Sequence, residues 1–191
     1  MISIVLELKI KVMLKYFACF SLLGFSLIAY GQNDNDFYSY DVEELLESKS
    51  IILPEISAPI ANYTNAVATG QLLFLAGKGP EDEAGNYMTG KVGYDVSIEE
   101  GYAAARRVAI MQLAVLKESL GDLNRVKRIV KVNGMVNATD DFEHHPEVIN
   151  GFSDLMVEVF GDRGKHARAA VGMSSLPRNI ICEIEIIVEF Q

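Results

Sequence analysis

The sequence has few cysteines, few histidines and no excess of basic residues. Its 191 residues include two cysteines, and only Cys182 remains if the apolar N-terminal segment that carries Cys19 is removed. An intrachain disulfide framework and a cysteine-based zinc site are therefore excluded. His144 and His145 are adjacent, so on an extended chain they point to opposite sides, and we expect no metal site there. HExxH, Gly-x-Ser-x-Gly and a glycine-rich phosphate loop are also absent.

Basic residues are outnumbered by acidic ones, 17 to 26, which gives a net charge of -9. The first 31 residues contribute +2, so the remainder carries -11. Phosphate backbones are bound by clustered lysine and arginine, and a body this acidic makes a poor general nucleic-acid binder. We therefore expect no nucleic-acid partner.

The N-terminus has the layout of a secretory signal peptide. Lys11 and Lys15 precede an apolar run over residues 16–28, and Ala29-Tyr30-Gly31 supplies small residues before Gln32. The run is too short to span a membrane comfortably. We predict cleavage near Gly31/Gln32, a periplasmic or secreted protein, and no stable membrane anchor after cleavage.

Three segments are predicted from this pattern: a signal peptide (1–31), a polar leader (32–52) and one domain (53–191). Within the leader, residues 41–49 can form one or two helical turns. The domain pattern predicts the order ββαβαββ, hence an α+β fold in which a mixed sheet carries two helices on one face. The predicted elements are strands on either side of Gly70-Gln71, a helix over 98–120 that begins with a Ser97/Glu100 capping box, a strand over 126–136, a helix from Pro146 to Gly161, and strands over 167–173 and 181–190.

In two of these strands, the alternation of side chains predicts which residues share a face of the sheet. In the third strand Val130 is predicted to share a face with Val132 and Val136. In the fourth, Arg168 is predicted to point away from the face of Ala167 and Ala169.

Four segments carry a resemblance to a known family. They are Ile60–Val67, Leu72–Pro80, His166–Pro177 and Glu183–Val188, and the most specific part is Ala-Arg-x-Ala-Val followed by Leu-Pro and Glu-Ile-Glu. Together they resemble the RidA/YjgF family, also named endoribonuclease L-PSP, over about Leu53 to Phe190. Thr89–Gly93 and Asn150–Leu155 are similar to one branch of that family.

The resemblance implies a chorismate-mutase-like fold and a homotrimer with sites in the clefts between subunits. It also implies a reaction, the hydrolysis of reactive 2-imino or enamino acids to 2-keto acids and ammonia. No metal or organic cofactor is required for it.

Arg168 and Glu183 are the predicted catalytic residues. A planar guanidinium can hold a carboxylate through two parallel hydrogen bonds, and a 2-imino acid has a carboxylate beside its reacting carbon. By the resemblance, Glu183 orients the attacking water, although Glu185 and Glu189 lie on the same strand face.

Three further residues are predicted to bind substrate. Tyr63 and Asn150 match family positions near the cleft by resemblance, while Lys78 departs from the family pattern. Ala76-Gly77-Lys78 stands where deaminases of the family commonly have Ser-Gly-Gln, so a hydroxyl is lost and a cation is gained. Ala170 replaces a small polar or cysteine residue.

These departures leave alternatives to deamination open. One is a non-catalytic trimeric module that binds a small carboxylate. Another is the ribonuclease activity of the older family label, which the charge of -11 disfavours.

Overall fold

The computed structural model describes residues 37–57, 59 and 61–191. The elements in this part of the chain are α1 (Val42–Ser48), β1 (Ala66–Thr69), β2 (Leu72–Lys78), α2 (Ile98–Leu120), β3 (Val126–Asn137), α3 (His145–Phe160), β4 (Ala167–Met173) and β5 (Cys182–Phe190). From β1 onward the order is ββαβαββ, which confirms the predicted α+β class. The predicted signal peptide and its cleavage site lie outside the described residues, so export stays a prediction. Among the described residues no helix is both long and apolar enough to cross a membrane.

The five strands form one mixed sheet in the order β1-β2-β5-β3-β4. The β1–β2 hairpin turns at Gly70, which has a φ of +58°. β3 and β4 are parallel, because α3 connects them and returns the chain to the same end of the sheet. The other neighbouring pairs are antiparallel, so the predicted mixed sheet is confirmed.

Helices α2 and α3 pack against each other and cover one face of the sheet. α2 begins at the predicted Ser97/Glu100 capping box and ends at Gly121, whose φ is +76°. The two helices approach closely at Gly151, where an added Cβ would collide with the backbone carbonyl of Tyr102. The prediction of two helices on one face is therefore confirmed.

The other face of the sheet keeps exposed apolar side chains. Residues that point toward the helices are fully buried, for example Val132 on β3 and Ile184 on β5. On the opposite face Val67, Phe74 and Val171 are 58%, 42% and 42% exposed. Within the described residues this face has no covering layer.

Val130 does not share the buried face of β3, so that detail of the prediction is wrong. The β3–β5 pairing shifts register between Ile129 and Lys131, and both Ile129 and Val132 are buried while Val130 is only half-buried. A register shift of one residue moves the following side chains to the other face.

Helix α1 lies within the predicted polar leader and packs onto the domain. Val42 and Leu46 are buried in the core, and the Tyr38 hydroxyl donates to the carbonyl of Val126 at 2.5 Å. Glu43 forms an ion pair with Lys117 of α2 at 2.5 Å. Core packing thus begins before Leu53, the predicted start of the domain.

Candidate functional site

Arg168 lies on β4, the edge strand, and points to the face that the helices cover. Its register partner on β3 is Val132, whose side chain is buried against the helices. Ala167 and Ala169 lie on the opposite face, as predicted. The arginine side chain therefore runs along the sheet edge toward α3.

The guanidinium is held from one side only. Its Nη1 donates to Asn150 Oδ1 and to Ser153 Oγ, both at 2.9 Å. Asn150 and Ser153 are three residues apart on α3, so both point from one side of the helix. No described residue bonds Nε or Nη2 of Arg168. The described residues thus leave free the edge of the guanidinium that can pair with a carboxylate in bidentate fashion.

His166 is joined to this cluster through Ser153. Its Nε2 lies 3.0 Å from Ser153 Oγ, and its Nδ1 lies 2.6 Å from the carbonyl oxygen of Gly164. Burial lowers the pKa of His166, and the nearby charge of Arg168 lowers it too, while the bond to Gly164 acts in the opposite direction. The imidazole is therefore neutral at pH 7.

A second group of predicted residues lines a separate cleft of about 790 Å³. Tyr63, Lys78 and Glu183 all border it. Tyr63 is 54% exposed. Arg107, Arg178 and several carboxylates also line the cleft.

Glu183 is half-buried, and its carboxylate lies directly against Gly77. A Cβ added at Gly77 would collide with Glu183 Oε1, so the glycine makes room for the carboxylate. Burial raises the pKa of Glu183, and the charge of Glu185 raises it further. A carboxyl group whose pKa is shifted toward neutrality suits proton transfer.

The two other acidic residues of β5 have partners outside the cleft. Glu185 Oε1 accepts from Asn133 Nδ2 at 3.0 Å, and Glu189 forms an ion pair with Lys127. Of the three glutamates that strand spacing left equivalent, only Glu183 borders the cleft.

The ammonium group of Lys78 is already engaged. Its Nζ donates to Asn65 Oδ1 at 2.6 Å, and burial lowers its pKa. The β2–β5 pairing has a bulge between Leu75 and Lys78, and the buried Gln112 side chain donates to the carbonyls of Ala76 and Ile184 across it. Lys78 therefore lines the cleft with an ammonium group that already has one hydrogen-bond partner, Asn65.

The two groups are separated within one chain. Met135 on β3 pairs with both Glu183 and Val171, and Arg168 lies three residues before Val171 on β4. At the usual strand spacing and rise, the Cα atoms of Arg168 and Glu183 are about 14 Å apart. They also point to opposite faces of the sheet. The structure joins Arg168 to Asn150 and places Tyr63, Lys78 and Glu183 on the wall of one cleft, but it does not bring the two groups together.

Ser153 and Gly164 are the participants that the sequence analysis missed. A polar side chain at i+3 from Asn150, on a helix with buried Phe152 and Met156, is a signal that would have found Ser153. Gly164 acts through its backbone carbonyl and leaves no side-chain signal. Within the part of the chain that the structure describes, no three His, Cys, Asp or Glu side chains are grouped so as to hold a metal ion.

Comparison with known proteins places this geometry in a family. Residues 43–190 match the family described as "YjgF/chorismate mutase-like, putative endoribonuclease". Protein TCP17 of Trypanosoma cruzi is 41% identical over 75% of this chain and 91% of its own length. A RutC family protein of Pyrococcus abyssi is 33% identical over 73% of this chain and 96% of its own. The crystal structure of Atu1372 from Agrobacterium tumefaciens, a protein of unknown function, is similar with a TM-score of 0.72 and 40% identity, and the match covers 78% of this chain and 94% of that one. The chain therefore belongs to the RidA/YjgF family, as its motifs predicted.

Proposed function

We propose that the protein is a cofactor-free deaminase that hydrolyses 2-imino or enamino acids to 2-keto acids and ammonia. The observation that carries the proposal is the state of Arg168, which is fixed through Nη1 while no described residue contacts its Nε–Nη2 edge. That edge matches the carboxylate of a 2-imino acid and places the imine carbon beside it. Water adds to that carbon, the C–N bond breaks, nitrogen leaves as ammonia and the oxygen remains as the keto group.

A second copy of the chain is part of this proposal. Arg168 with Asn150 and Glu183 with Tyr63 form two half-sites that lie on opposite faces, so a small substrate does not reach both within one chain. A homotrimer with sites between subunits would join them. The exposed apolar face around Phe74 and Val171 supports such packing, because apolar patches of this kind mark interfaces.

In the assembled site each half has its own role. Arg168 holds the carboxylate, and Glu183 of the neighbouring copy orients and deprotonates the attacking water, aided by its raised pKa. Tyr63, which borders the same cleft, supplies a hydroxyl for a bond to substrate or water. Lys78 adds positive charge to the same wall.

The test uses 2-iminobutanoate generated by a threonine dehydratase, with semicarbazide as a competing trap and keto-acid formation as the measurement. We expect the wild-type protein to accelerate hydrolysis and to keep its activity in EDTA. Arg168→Ala should lose about 100-fold, because removing one partner of a bidentate charged pair costs about 3 kcal/mol. Arg128→Ala, at an exposed arginine on β3, is the matched control. Absence of acceleration, or full activity in Arg168→Ala, would contradict the proposal.

The second candidate function is a module that binds a small carboxylate without converting it. It is favoured by Ala76, which supplies no hydroxyl, and by Lys78, whose ammonium is bound to Asn65. Thermal-shift measurements with keto acids distinguish it from the first candidate: stabilisation that depends on Arg168, without imine hydrolysis, supports the module.

A further inference from the structure

Ser153 is the residue through which His166 contacts Arg168. Its Oγ lies 2.9 Å from Arg168 Nη1 and 3.0 Å from His166 Nε2. Asn150 holds Nη1 separately, at 2.9 Å. Together these contacts make a chain of hydrogen bonds that runs from the loop before β4, across α3, to the guanidinium.

The donor and the acceptor of every hydrogen bond in this series follow from the groups that form it. The Gly164 carbonyl only accepts, so His166 Nδ1 carries the proton. Burial and the Arg168 charge keep the imidazole neutral, so Nε2 is an acceptor. Arginine only donates, so Ser153 Oγ accepts from Arg168 and gives its own proton to His166.

The direction of these hydrogen bonds determines how the Arg168 guanidinium is oriented. The serine lone pair is turned toward Nη1 because its proton is committed to His166. Both Nη1 hydrogens are then used, by Asn150 and Ser153, and the Nε–Nη2 edge faces away from α3. Without the imidazole, the hydroxyl is free to rotate and Nη1 loses a fixed acceptor.

A serine beside a histidine also has the composition of a nucleophile and its base, but the location argues against that role. Ser153 lies in the interior of α3, where backbone N–H groups bond carbonyls one turn earlier. No pair of free backbone N–H groups is therefore available there to stabilise an oxyanion.

We propose that Ser153 and His166 are positioning residues that orient Arg168 so that its Nε–Nη2 edge receives a carboxylate. The inference deepens the proposed function, since the carboxylate is the one carried by its substrate. It assigns a role to two side chains that need not touch that substrate.

The first test needs no ligand. Nitrogen-15 NMR of wild-type His166 should show a neutral ring protonated at Nδ1, and crystal structures of Ser153→Ala and His166→Ala should show a displaced Arg168 side chain. A ring protonated at Nε2, or an Arg168 that keeps its position in both variants, would overturn the proposal.

The second test measures binding of 2-oxobutanoate by calorimetry. We expect Ser153→Ala and His166→Ala to bind about fivefold to tenfold more weakly, the value of one lost hydrogen bond. His166→Gln should recover most of the affinity, because its amide oxygen can accept from Ser153 where Nε2 does. Ser175→Ala, at an exposed serine, should bind like the wild type.

The outcomes separate this proposal from the proposed function. If the wild type binds 2-oxobutanoate with the expected variant effects but hydrolyses no imine, the deaminase fails and the positioning role stands. If Arg168→Ala abolishes binding while Ser153→Ala and His166→Ala leave it unchanged, the positioning role fails. It also fails if the wild type binds no carboxylate, because Arg168 then has nothing to receive.

Discussion

Glu183 illustrates how the environment of one side chain depends on residues both near and distant in sequence. Gly77 on β2 leaves space for its carboxylate, and Glu185 adds a like charge nearby. Both burial and this charge disfavour the ionised form, so the folded protein holds a proton on Glu183 more strongly than the unfolded chain does.

That difference predicts a pH-dependent stability. Below the unfolded pKa, near 4.5, Glu183 is protonated in both states and costs nothing. As pH rises through the raised folded pKa, the wild type loses stability, because the folded state must then hold a disfavoured charge. Glu183→Gln should therefore be more stable than the wild type at pH 7, and the difference should shrink toward pH 4.

Urea denaturation at a series of pH values measures this effect. Glu118→Gln, at an exposed glutamate on α2, is the control for removing a surface carboxylate. A difference for Glu183→Gln that is constant with pH, or that grows as pH falls, would contradict the prediction.

At the residue scale, the sequence predicted the direction in which a side chain points better than it predicted the groups around that side chain. The alternation of side chains along β4 correctly predicted that Arg168 points away from the face of Ala167. The family motifs also singled out Asn150, which lies within hydrogen-bond distance of Arg168. The spacing of the three glutamates on β5 did not by itself indicate which of them borders the cleft, because that depends on Gly77 and on β3. The hydrogen bond that His166 donates to the Gly164 carbonyl was not predictable either, since every residue has a carbonyl.

Among the elements, α1 shows how a polar composition can conceal a packed helix. Asp41 accepts from the backbone N–H groups of Glu43 and Glu44 at its start, at 2.8 and 3.0 Å. Only Val42 and Leu46 are fully buried, four residues apart on one side. Two apolar contacts on a short helix give a weak sequence signal, which is why the pattern predicted a leader with no more than one or two turns.

Leu46→Ala should destabilise the domain by about 3 kcal/mol, because it deletes a buried side chain and leaves a cavity. Leu45→Ala is the matched control, since Leu45 is only half-buried on the neighbouring side and should cost clearly less. Free energies of unfolding from urea titration test the pair. Equal small effects would mean that α1 does not pack as described.

The strands were predictable in number and order but not in every register. The α2 bounds follow from a capping box and a terminal glycine, both local signals. The bulge in β2 and the shifts in β3 arise from pairing with β5, and no local pattern encodes them. Val130 was therefore assigned to the wrong face.

For the whole molecule, the separation of Arg168 and Glu183 predicts complementation between subunits. Arg168→Ala and Glu183→Gln should each be strongly impaired when refolded alone. If the chain forms the proposed homotrimer and the two variants are denatured together and refolded, some interfaces combine an intact Arg168 with an intact Glu183 of the neighbour. Random assembly should restore about a quarter of wild-type activity.

The control mixes each variant with itself through the same refolding, and analytical ultracentrifugation establishes the mass of the assembly. No restored activity in the mixture, with wild-type activity recovered after identical treatment, would mean that both residues serve one chain. A monomeric mass would contradict the trimer directly.

Cys182, at the start of β5, has a consequence for the conditions in which the domain can fold. It is fully buried, and burial raises the pKa of its thiol, so almost no reactive thiolate is presented to oxidants. The described domain depends on no disulfide and has no accessible thiol to be damaged. Folding of the described residues therefore needs neither an oxidant to form a disulfide nor a reductant to keep Cys182 free.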